Sequence, residues 1–395
     1  MAKGKKTSSP VSSRSLDSGT RLPKHQVVFE YLHKSILSGG FKAGDRLPSE
    51  AELGIQFDAS RITVAKAVLE LQRMGLVTRR PGAGTHVQAR QQRTGYTFGL
   101  LIPELGLTEI FEPICRGMMR SPFARPDALL WGNPAASSDA APGQARSEAE
   151  AGEEAELMAR YFIEQKVSGV FFAPVELVAD KDTVNQRVMR ILERARIPTV
   201  LLDRCVLPYP DRSPHVLVGI DNARTCFVAT EHLIRLGATR LVFVAERFAA
   251  PTVEARAAGF LDALRRHGIR PEIDPIFRGS PQDDSFVQAM LDQAKPGAIV
   301  CANDVTAARM MQTLLPKGIS IPEDMRIVGI DDVRYASLLP VPLTTMHQNC
   351  AAIGVIAMAT MLERLEHPDL PTRDVLLVTR LVVRRSCGAH LEPAN

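Results

Sequence analysis

The chain has 395 residues, 45% of them hydrophobic, and a formal net charge of +4. This length suits two or three domains with sizeable cores, and the hydrophobic content excludes wholesale disorder. No apolar run approaches the roughly 18–20 residues of a membrane span, and the basic, Ser-rich start lacks the apolar stretch of a secretory signal.

Positive charge is concentrated at the start of the chain. Residues 1–90 hold 15 basic and 7 acidic side chains, and the rest of the chain holds 33 basic and 37 acidic ones. A basic head on a mildly acidic body suits a head that meets phosphate. A solvated basic tail over residues 1–22 is the alternative explanation for about half of the excess.

The six cysteines are scattered, with no CxxC pair. This spacing argues against a zinc site or a disulfide framework and favours buried free thiols in a reducing cytoplasm. We therefore expect no metal and no cofactor.

Three helices are predicted in the first part of the chain, after the low-complexity tail. Gly39 and Gly40 stop the first of them. Ser49 opens the sequence SEAE, the S-x-x-E pattern of a capping box, and so begins the second helix. Ser60 is placed to cap the third helix, which has one apolar face at i, i+3, i+4, i+7 spacing.

A basic hairpin is predicted after these helices. Two β-like runs, 76–80 and 85–88, are joined by PGAG, which favours a tight turn. Arg79, Arg80 and His86 flank the turn.

The pattern changes at residue 96, where short β-rich runs begin to alternate with helical patterns. This alternation predicts an α/β layout with largely parallel sheets. Strands are predicted at 97–102, 129–131, 169–173, 199–202, 240–245, 298–301, 326–330 and 375–383.

Two resemblances follow from ordered motifs. Residues 24–88 resemble the DNA-binding domain of the GntR family, through GDRLPSEAEL, SRITVAKAVLEL and GLVTRRPGAGTHV. Residues 96–387 resemble the effector-binding part of LacI-type repressors, which shares the periplasmic sugar-binding protein fold. The motifs are IPTVLLDR, GIDNARTCFVATEHLIRLGATRLVFV, EARAAGFLDALRRHGI, AIVCANDVTAARMM, IPEDMRIVGIDD, PLTTMHQ and LVVRRS.

The combination resembles the GntR–LacI chimeric regulators, the class of the arabinose repressor. It implies an α+β winged helix-turn-helix followed by an α/β two-lobed periplasmic-binding-protein-like (type I) domain. The expected order is a disordered basic tail over 1–22, a DNA-binding head over 23–89, a linker over 90–95, and an effector domain over 96–387 with crossovers near 238, 347 and 371.

The GntR resemblance implies that the third helix meets the major groove and the hairpin lies in or beside the minor groove. Arg61 matches the arginine of the SRxTVR segment, and its fork suits guanine; a phosphate contact is the alternative. The family's second arginine is replaced by Ala65, which puts sequence preference at that base in doubt. The hairpin alternatively only closes the small core. The candidate DNA-binding residues are Ser49 (also a helix cap), Ser60, Arg61, Thr63, Lys66, Arg79, Arg80, Gly82, Gly84 and His86.

Open α/β sheets bind ligands beyond the carboxyl ends of their strands. Several polar residues fall at such ends, and their donors and acceptors suit a polyhydroxylated ligand. Asp203 and Asn303 alternatively cap the turns that follow them, and Asp304 and Asp332 are expected to be structural. Phe111 is a candidate for stacking on a sugar face, with a place in the core as its alternative. The candidate ligand residues are Asp203, Arg256, Asn303, Asp331, Gln348 and Phe111.

These features predict a cytoplasmic homodimeric repressor that binds double-stranded operator DNA and a sugar-like effector. The alternatives are a corepressor-dependent regulator that senses a purine or another metabolite, and a ligand-binding protein without regulatory DNA binding. An enzyme is not expected, because GxSxG, HExxH, P-loop and CxxC motifs are all missing from the sequence.

Overall fold

The computed structural model describes residues 24–37, 39–73, 76–80, 84–88, 95–102, 109–122, 128–131 and 148–391. The predicted tail over 1–22, residues 90–94 of the predicted linker, Gly82 and the side chain of Arg80 lie outside this description. Among the described residues, no helix combines the length and apolar character that crossing a membrane requires. The chain divides into two compact units, Met1–Thr94 and Gly95–Asn395.

The first unit is a helix-turn-helix followed by a hairpin. In chain order its elements are α1 (Lys24–Leu37), α2 (Glu50–Gln56), α3 (Arg61–Arg73) and the antiparallel strands β1 (Val77–Arg80) and β2 (Gly84–Val87). The apolar face predicted for α3 is buried, at Val64, Ala67, Val68 and Leu71. It packs against α1 and the hairpin in one small core, so the predicted winged helix-turn-helix is confirmed.

The second unit contains two six-stranded sheets within the described residues, and each sheet forms one lobe. The strands of lobe 1 are all parallel, in the order β13-β7-β6-β5-β3-β4. They span Thr97–Leu101 (β3), Ala128–Leu130 (β4), Gly169–Phe172 (β5), Thr199–Leu202 (β6), Val216–Ile220 (β7) and Asp374–Leu377 (β13).

Lobe 2 has the order β14-β12-β11-β10-β8-β9, in which only the edge strand β14 is antiparallel to its neighbour. Its strands span Leu241–Ala245 (β8), Ile276–Arg278 (β9), Ala298–Cys301 (β10), Arg326–Asp331 (β11), Thr344–His347 (β12) and Arg380–Val382 (β14).

Helices cover both faces of each sheet, as a parallel sheet requires. In lobe 1, α4 (Phe111–Arg120) and α11 (Cys350–Glu366) pack on one face, and α5 (Glu148–Glu164) and α6 (Lys181–Arg194) on the other. In lobe 2, the corresponding pairs are α7 (Asn222–Arg235) with α8 (Pro251–Arg266), and α9 (Asp284–Ala294) with α10 (Asp304–Leu314). The predicted two-lobed α/β architecture is therefore confirmed.

Within the described residues, the chain passes between the lobes at three places. The second passage follows β12, close to the predicted residue 347. The first lies at Asp221 rather than near 238, because α7 already packs in the core of lobe 2. The third lies at residues 378–379 rather than near 371, because β13 still pairs with β7 of lobe 1.

The predicted strand over 375–383 is a second correction. It is two strands, β13 and β14, that belong to different sheets. Both halves carry β-branched and apolar residues, so the sequence pattern cannot register the change of partner between them. Three further strands, β7, β9 and β12, were not predicted.

Candidate functional site

The N-terminus of α3 presents an exposed cationic side chain. The Ser60 hydroxyl accepts a hydrogen bond from the Thr63 backbone N–H at 3.2 Å, which begins the helix as predicted. Arg61 follows, with 81% of its side chain exposed, and Ile62 beside it is 84% exposed. Lys66 is also exposed, one turn further along. This end of α3 is open to a partner.

Glu50 links α2 to this end of α3 and to the hairpin. Its carboxylate forms an ion pair with Arg79 on β1 and lies 4.0 Å from Arg61 Nε. One acidic side chain thus holds two of the predicted DNA-binding arginines near each other. The arrangement was not foreseen, since sequence spacing alone does not show which charges meet between elements.

Ser49 has a structural contact that accounts for its sequence motif. Its hydroxyl accepts from the Glu52 backbone N–H at 3.2 Å, and Glu52 accepts from the Ser49 backbone N–H at 2.7 Å. These two bonds close the predicted capping box. They also hold the pKa of Glu52 below its ordinary range.

The hairpin turn brings a glycine and a histidine toward Arg46. Gly84 has a φ of +92°, and a side chain there would lie 2.7 Å from Arg46 Nε, so the position demands glycine. His86 pairs with Thr78 on β1 and bridges to Arg46. It is half-buried, which is consistent with a part in closing the small core.

The second unit gathers charged residues from both lobes around Asp331, the last residue of β11. Arg256 Nη2 on α8 lies 3.6 Å from Asp331 Oδ1. Gln348 Nε2, at the second passage between lobes, donates to the same oxygen at 3.0 Å. Three of the predicted ligand residues therefore meet at one point.

Lobe 1 supplies the other half of this cluster, from the ends of β5 and β6. Arg204 Nη1 pairs with Glu176 Oε1 at 2.6 Å, and Arg204 Nε lies 3.5 Å from Asp203 Oδ2. Asp203 and Arg204 are 4% and 3% exposed, so these charges are held in a dry environment. Arg204 and Glu176 were not predicted as site residues.

Two of the cluster carboxylates, Asp203 and Asp331, have backbone conformations that L-residues rarely adopt, with φ of +66° and +126°. Each ends or follows a parallel strand of its own lobe. Glycine makes room for Asp203, because a side chain at Gly219 on β7 would lie 3.0 Å from its backbone oxygen. Rare conformations retained at a convergence of charges are typical of binding sites.

The lobes touch around this cluster. The Ala250 N–H of lobe 2 donates to Glu176 Oε2 at 3.1 Å, and the Leu177 N–H of lobe 1 donates to the Phe248 carbonyl at 2.8 Å. The Arg334 N–H donates to Glu109 Oε2 at 2.8 Å. The cleft is therefore closed around its charged residues.

Burial raises the pKa of two carboxyl groups, Asp331 in the cluster and Asp304 near it. It raises the pKa of Asp331 from an ordinary 3.8 to about 7; the Arg256 guanidinium opposes the rise, and the carboxylates of Asp203 and Glu176 add to it. Burial and the nearby Asp331 also raise the pKa of Asp304. Asp304 accepts hydrogen bonds from Thr345 Oγ1 and the Val333 N–H, in the structural role expected for it.

Two predicted ligand residues have other contacts. Asn303 Oδ1 accepts from the Thr306 N–H at 2.8 Å and caps α10, which is the alternative considered for it. Phe111 is buried, and the Arg204 guanidinium lies 5.4 Å from its ring centroid. The ring therefore supports Arg204 and does not offer that face to a sugar.

Another residue missed from the sequence is Asn222, at the first passage between lobes. Its Oδ1 accepts from Arg256 Nε at 2.8 Å, and Arg256 Nη1 donates to the Ala302 carbonyl at 2.6 Å. The signal for Asn222 and Arg204 was present, since both fall inside the motifs GIDN and IPTVLLDR. Glu176 lies in no such motif.

Family models match both units. Residues 24–87 match the model of bacterial regulatory proteins of the gntR family, and residues 230–387 match that of the periplasmic binding protein-like domain. The protein thus combines a helix-turn-helix head with a two-sheet α/β domain of the periplasmic-binding kind.

Several of the similar proteins are transcriptional repressors by name. The arabinose metabolism transcriptional repressor of Geobacillus stearothermophilus is 26% identical over 378 residues, which cover 92% of this chain and 98% of the relative. The repressor PurR of Aliivibrio salmonicida is 30% identical over 230 residues, or 54% of this chain and 66% of the relative.

Solved structures agree on the fold. The transcriptional regulator CelR in complex with cellobiose has a TM-score of 0.60 at 21% identity and covers 92% of this chain and 100% of its own. The regulator CcpA of Lactococcus lactis has a TM-score of 0.60 at 19% identity, with 74% and 99% covered. The comparisons agree with the predicted class, a DNA-binding transcriptional regulator.

Proposed function

We propose that this protein is a repressor of the GntR–LacI chimeric kind. In this proposal it binds operator DNA in the cytoplasm as a homodimer, and a sugar-like effector bound between the two lobes releases it. The relatives support the general class, since they are named as repressors and regulators rather than enzymes.

The proposed DNA contact is the N-terminus of α3 with the hairpin beside it. In helix-turn-helix proteins this end of the recognition helix meets base edges in the major groove. The exposed guanidinium of Arg61 is available for a bidentate contact with guanine. Lys66 and Arg79 supply charge for phosphate groups, and Ser60 and Thr63 supply hydroxyl donors.

The observation that carries the effector site is the buried charged cluster drawn from both lobes. Buried ions cost free energy unless they are paired or used in binding. Here five ionisable side chains, Glu176, Asp203, Arg204, Arg256 and Asp331, interact where the lobes meet. A ligand held there touches both lobes, so it favours their closed arrangement.

Regulation then follows from linkage. If DNA and effector favour different arrangements of the effector domain, each lowers the affinity for the other by the same factor. The coupling free energy is typically about 1–3 kcal/mol. Release by effector is the proposed sign of this coupling. Tightening of DNA binding by the ligand would instead support the corepressor alternative.

The proposed dimer matches an inverted-repeat operator, because two heads related by a two-fold axis read palindromic half-sites. Lobe 1 has apolar side chains available for such contact. Met119 on α4 is 74% exposed, and Trp131, directly after the edge strand β4, is 58% exposed. Sedimentation of the full chain and of a Trp131→Glu variant tests this surface.

The test of the proposed function is fluorescence anisotropy of the full chain with DNA from upstream of its own gene. We expect specific binding that salt weakens, that a sugar reverses, and that Arg61→Ala weakens through lost discrimination at one base pair. Arg270→Ala is the matched control, because Arg270 is an exposed arginine of the second unit. Binding that no sugar or purine alters, or that Arg61→Ala leaves unchanged, would contradict the proposal.

A further inference from the structure

Two buried acceptor atoms of the interlobe cluster have no hydrogen-bond partner among the described residues. They are Asp203 Oδ1 and Gln348 Oε1, on side chains whose residues are 4% and 2% exposed. Both atoms are acceptors. Since buried polar atoms in folded proteins nearly always have partners, these two positions call for a ligand that brings donors.

The cationic groups of the cluster are already engaged within the protein. Arg256 uses Nε for Asn222, Nη1 for the Ala302 carbonyl and Nη2 for Asp331. Arg204 faces Glu176, Asp203 and the Pro174 carbonyl. A phosphate or carboxylate on a ligand would have to displace these contacts to gain a guanidinium partner.

The charge balance points the same way. The cluster holds the carboxyl groups of Glu176, Asp203 and Asp331 against the guanidinium groups of Arg204 and Arg256. Another anion buried among these carboxyl groups would be both desolvated and repelled. A neutral ligand avoids both costs.

Flat aromatic ligands gain little from the cluster, because Phe111 has the Arg204 guanidinium over its ring. The buried contacts of the described cluster come instead from polar atoms. Hydroxyl groups suit this arrangement, since each hydroxyl donates one hydrogen bond and accepts others.

We infer that the effector is an uncharged polyhydroxy compound, an unphosphorylated sugar or sugar alcohol, that donates hydroxyl hydrogens to Asp203 and Gln348. Sugar phosphates and uronates are excluded as effectors. This inference rests on the proposed function in one respect, that the interlobe cleft is the effector site.

The first test is a thermal-shift panel on the full chain, built from matched pairs. Arabinose, ribose, glucose, galactose and cellobiose are compared with ribose phosphate, glucose phosphate, galacturonate and glucuronate, with hypoxanthine added as a planar ligand. Calorimetry then measures each hit. We expect hits among the neutral sugars, with binding of the anionic counterpart weaker by at least about tenfold.

The second test uses Asp203→Ala and Gln348→Ala, each of which removes one unpartnered acceptor. We expect each variant to weaken binding of the neutral hit by at least about tenfold. Asp369→Ala and Gln186→Ala are the matched controls, since both residues are exposed and lie outside the cluster. If either alanine variant fails to fold, the sugar panel on the wild-type chain decides the inference, since it needs no substitution.

Three results overturn the inference: a sugar phosphate or uronate that binds more tightly than its neutral partner, hypoxanthine as the tightest ligand, or a panel without a neutral hit. Anisotropy with operator DNA keeps the two proposals apart. A neutral sugar that binds in the cleft without changing DNA affinity contradicts the proposed function alone. An anionic sugar that releases DNA contradicts this inference alone.

Discussion

Glu176 of lobe 1 accepts a hydrogen bond of 3.1 Å from the backbone N–H of Ala250 in lobe 2. The same carboxylate pairs with the buried Arg204 through its other oxygen. One side chain therefore joins the lobes and neutralises a cluster arginine. This double use makes Glu176 the residue through which cleft closure and cleft charge are tied together.

Glu176→Ala is expected to weaken effector binding by at least about tenfold, or roughly 1.4 kcal/mol. The variant loses the contact that joins the lobes and leaves Arg204 without its nearest carboxylate. Glu176→Gln retains an acceptor for Ala250 and should lose less. Calorimetry with the neutral sugar found in the thermal-shift panel measures the affinity of both variants. Equal affinities for the wild type and Glu176→Ala would show that closure does not depend on this contact. The exposed Glu323 provides the matched control, Glu323→Ala.

Arg256→Ala is expected to destabilise the effector unit, because it removes the buried donor to Asn222 Oδ1 and to the Ala302 carbonyl as well as the cation beside Asp331. Each buried acceptor left without its partner costs about 1–3 kcal/mol. Arg256→Lys keeps the charge but loses the fork that reaches Asn222 and Ala302, so it should fold and bind effector poorly. Urea denaturation and calorimetry separate these two effects. Wild-type stability in Arg256→Ala would show that the ion pair contributes nothing.

Arg61→Ala is expected to cost about 1–3 kcal/mol of discrimination at one base pair without changing protein stability. Lys66→Ala, at an exposed position on the same helix, should lower the affinity for all DNA sequences alike and reduce the salt dependence of binding. Competition binding with operator variants measures both. If Arg61→Ala also lost affinity equally for every sequence, Arg61 would be a phosphate contact.

Ser49→Ala is expected to lower the stability of the head by about 0.5–2 kcal/mol, because it removes the helix cap. Ser49→Asn replaces one good cap by another and should restore both stability and DNA binding. Thermal denaturation measures the stability of both variants, and fluorescence anisotropy measures their DNA binding. If Ser49→Asn folded normally but bound DNA poorly, the hydroxyl would have to contact DNA directly.

Raising the pH is expected to destabilise the effector unit between about pH 4 and pH 7. Folding raises the pKa of Asp331 from 3.8 to about 7, mainly through burial. The folded state therefore holds this proton more tightly, and the stability it contributes is complete below pH 3.8 and lost as the pH rises through about 7.

Urea denaturation across this range measures the slope. Asp331→Asn should show a smaller slope than the wild type, with a residual dependence from Asp304, whose pKa burial also raises. Asp369→Asn, at an exposed position, should retain the wild-type slope. An unchanged slope in Asp331→Asn would mean that this carboxyl is ionised in the fold at all these pH values.

The head was predictable almost element by element, because its signals are local. The capping box at Ser49, the cap at Ser60 and the apolar face of α3 each depend on residues within a few positions of one another. The sequence pattern that marks each strand of the second unit is also local. The pairing of those strands within the two sheets is not. The split between β13 and β14 depends on which sheet each strand joins, and both strands carry apolar and β-branched residues.

The cleft residues likewise divide into those that a sequence motif marks and one that only the folded structure brings to the site. Asp331, Arg256 and Gln348 were found through family motifs, and the structure brings them within hydrogen-bonding or ion-pairing distance. Glu176 lies in a loop after β5, where neither periodicity nor a motif marks it. Its importance arises from a contact with Ala250, 74 residues away in the chain, which only the folded lobes reveal.

The passages between the lobes carry residues in contact with the interlobe cluster: Asn222 at the first contacts Arg256, and Gln348 at the second contacts Asp331. Thr225, near the first, lies 2.9 Å by its hydroxyl from Thr379 at the third. In the proposed regulator, the segments that join the lobes and the effector site therefore share side chains. A substitution that changes which effector this regulator binds is then expected to change the closure of its lobes as well.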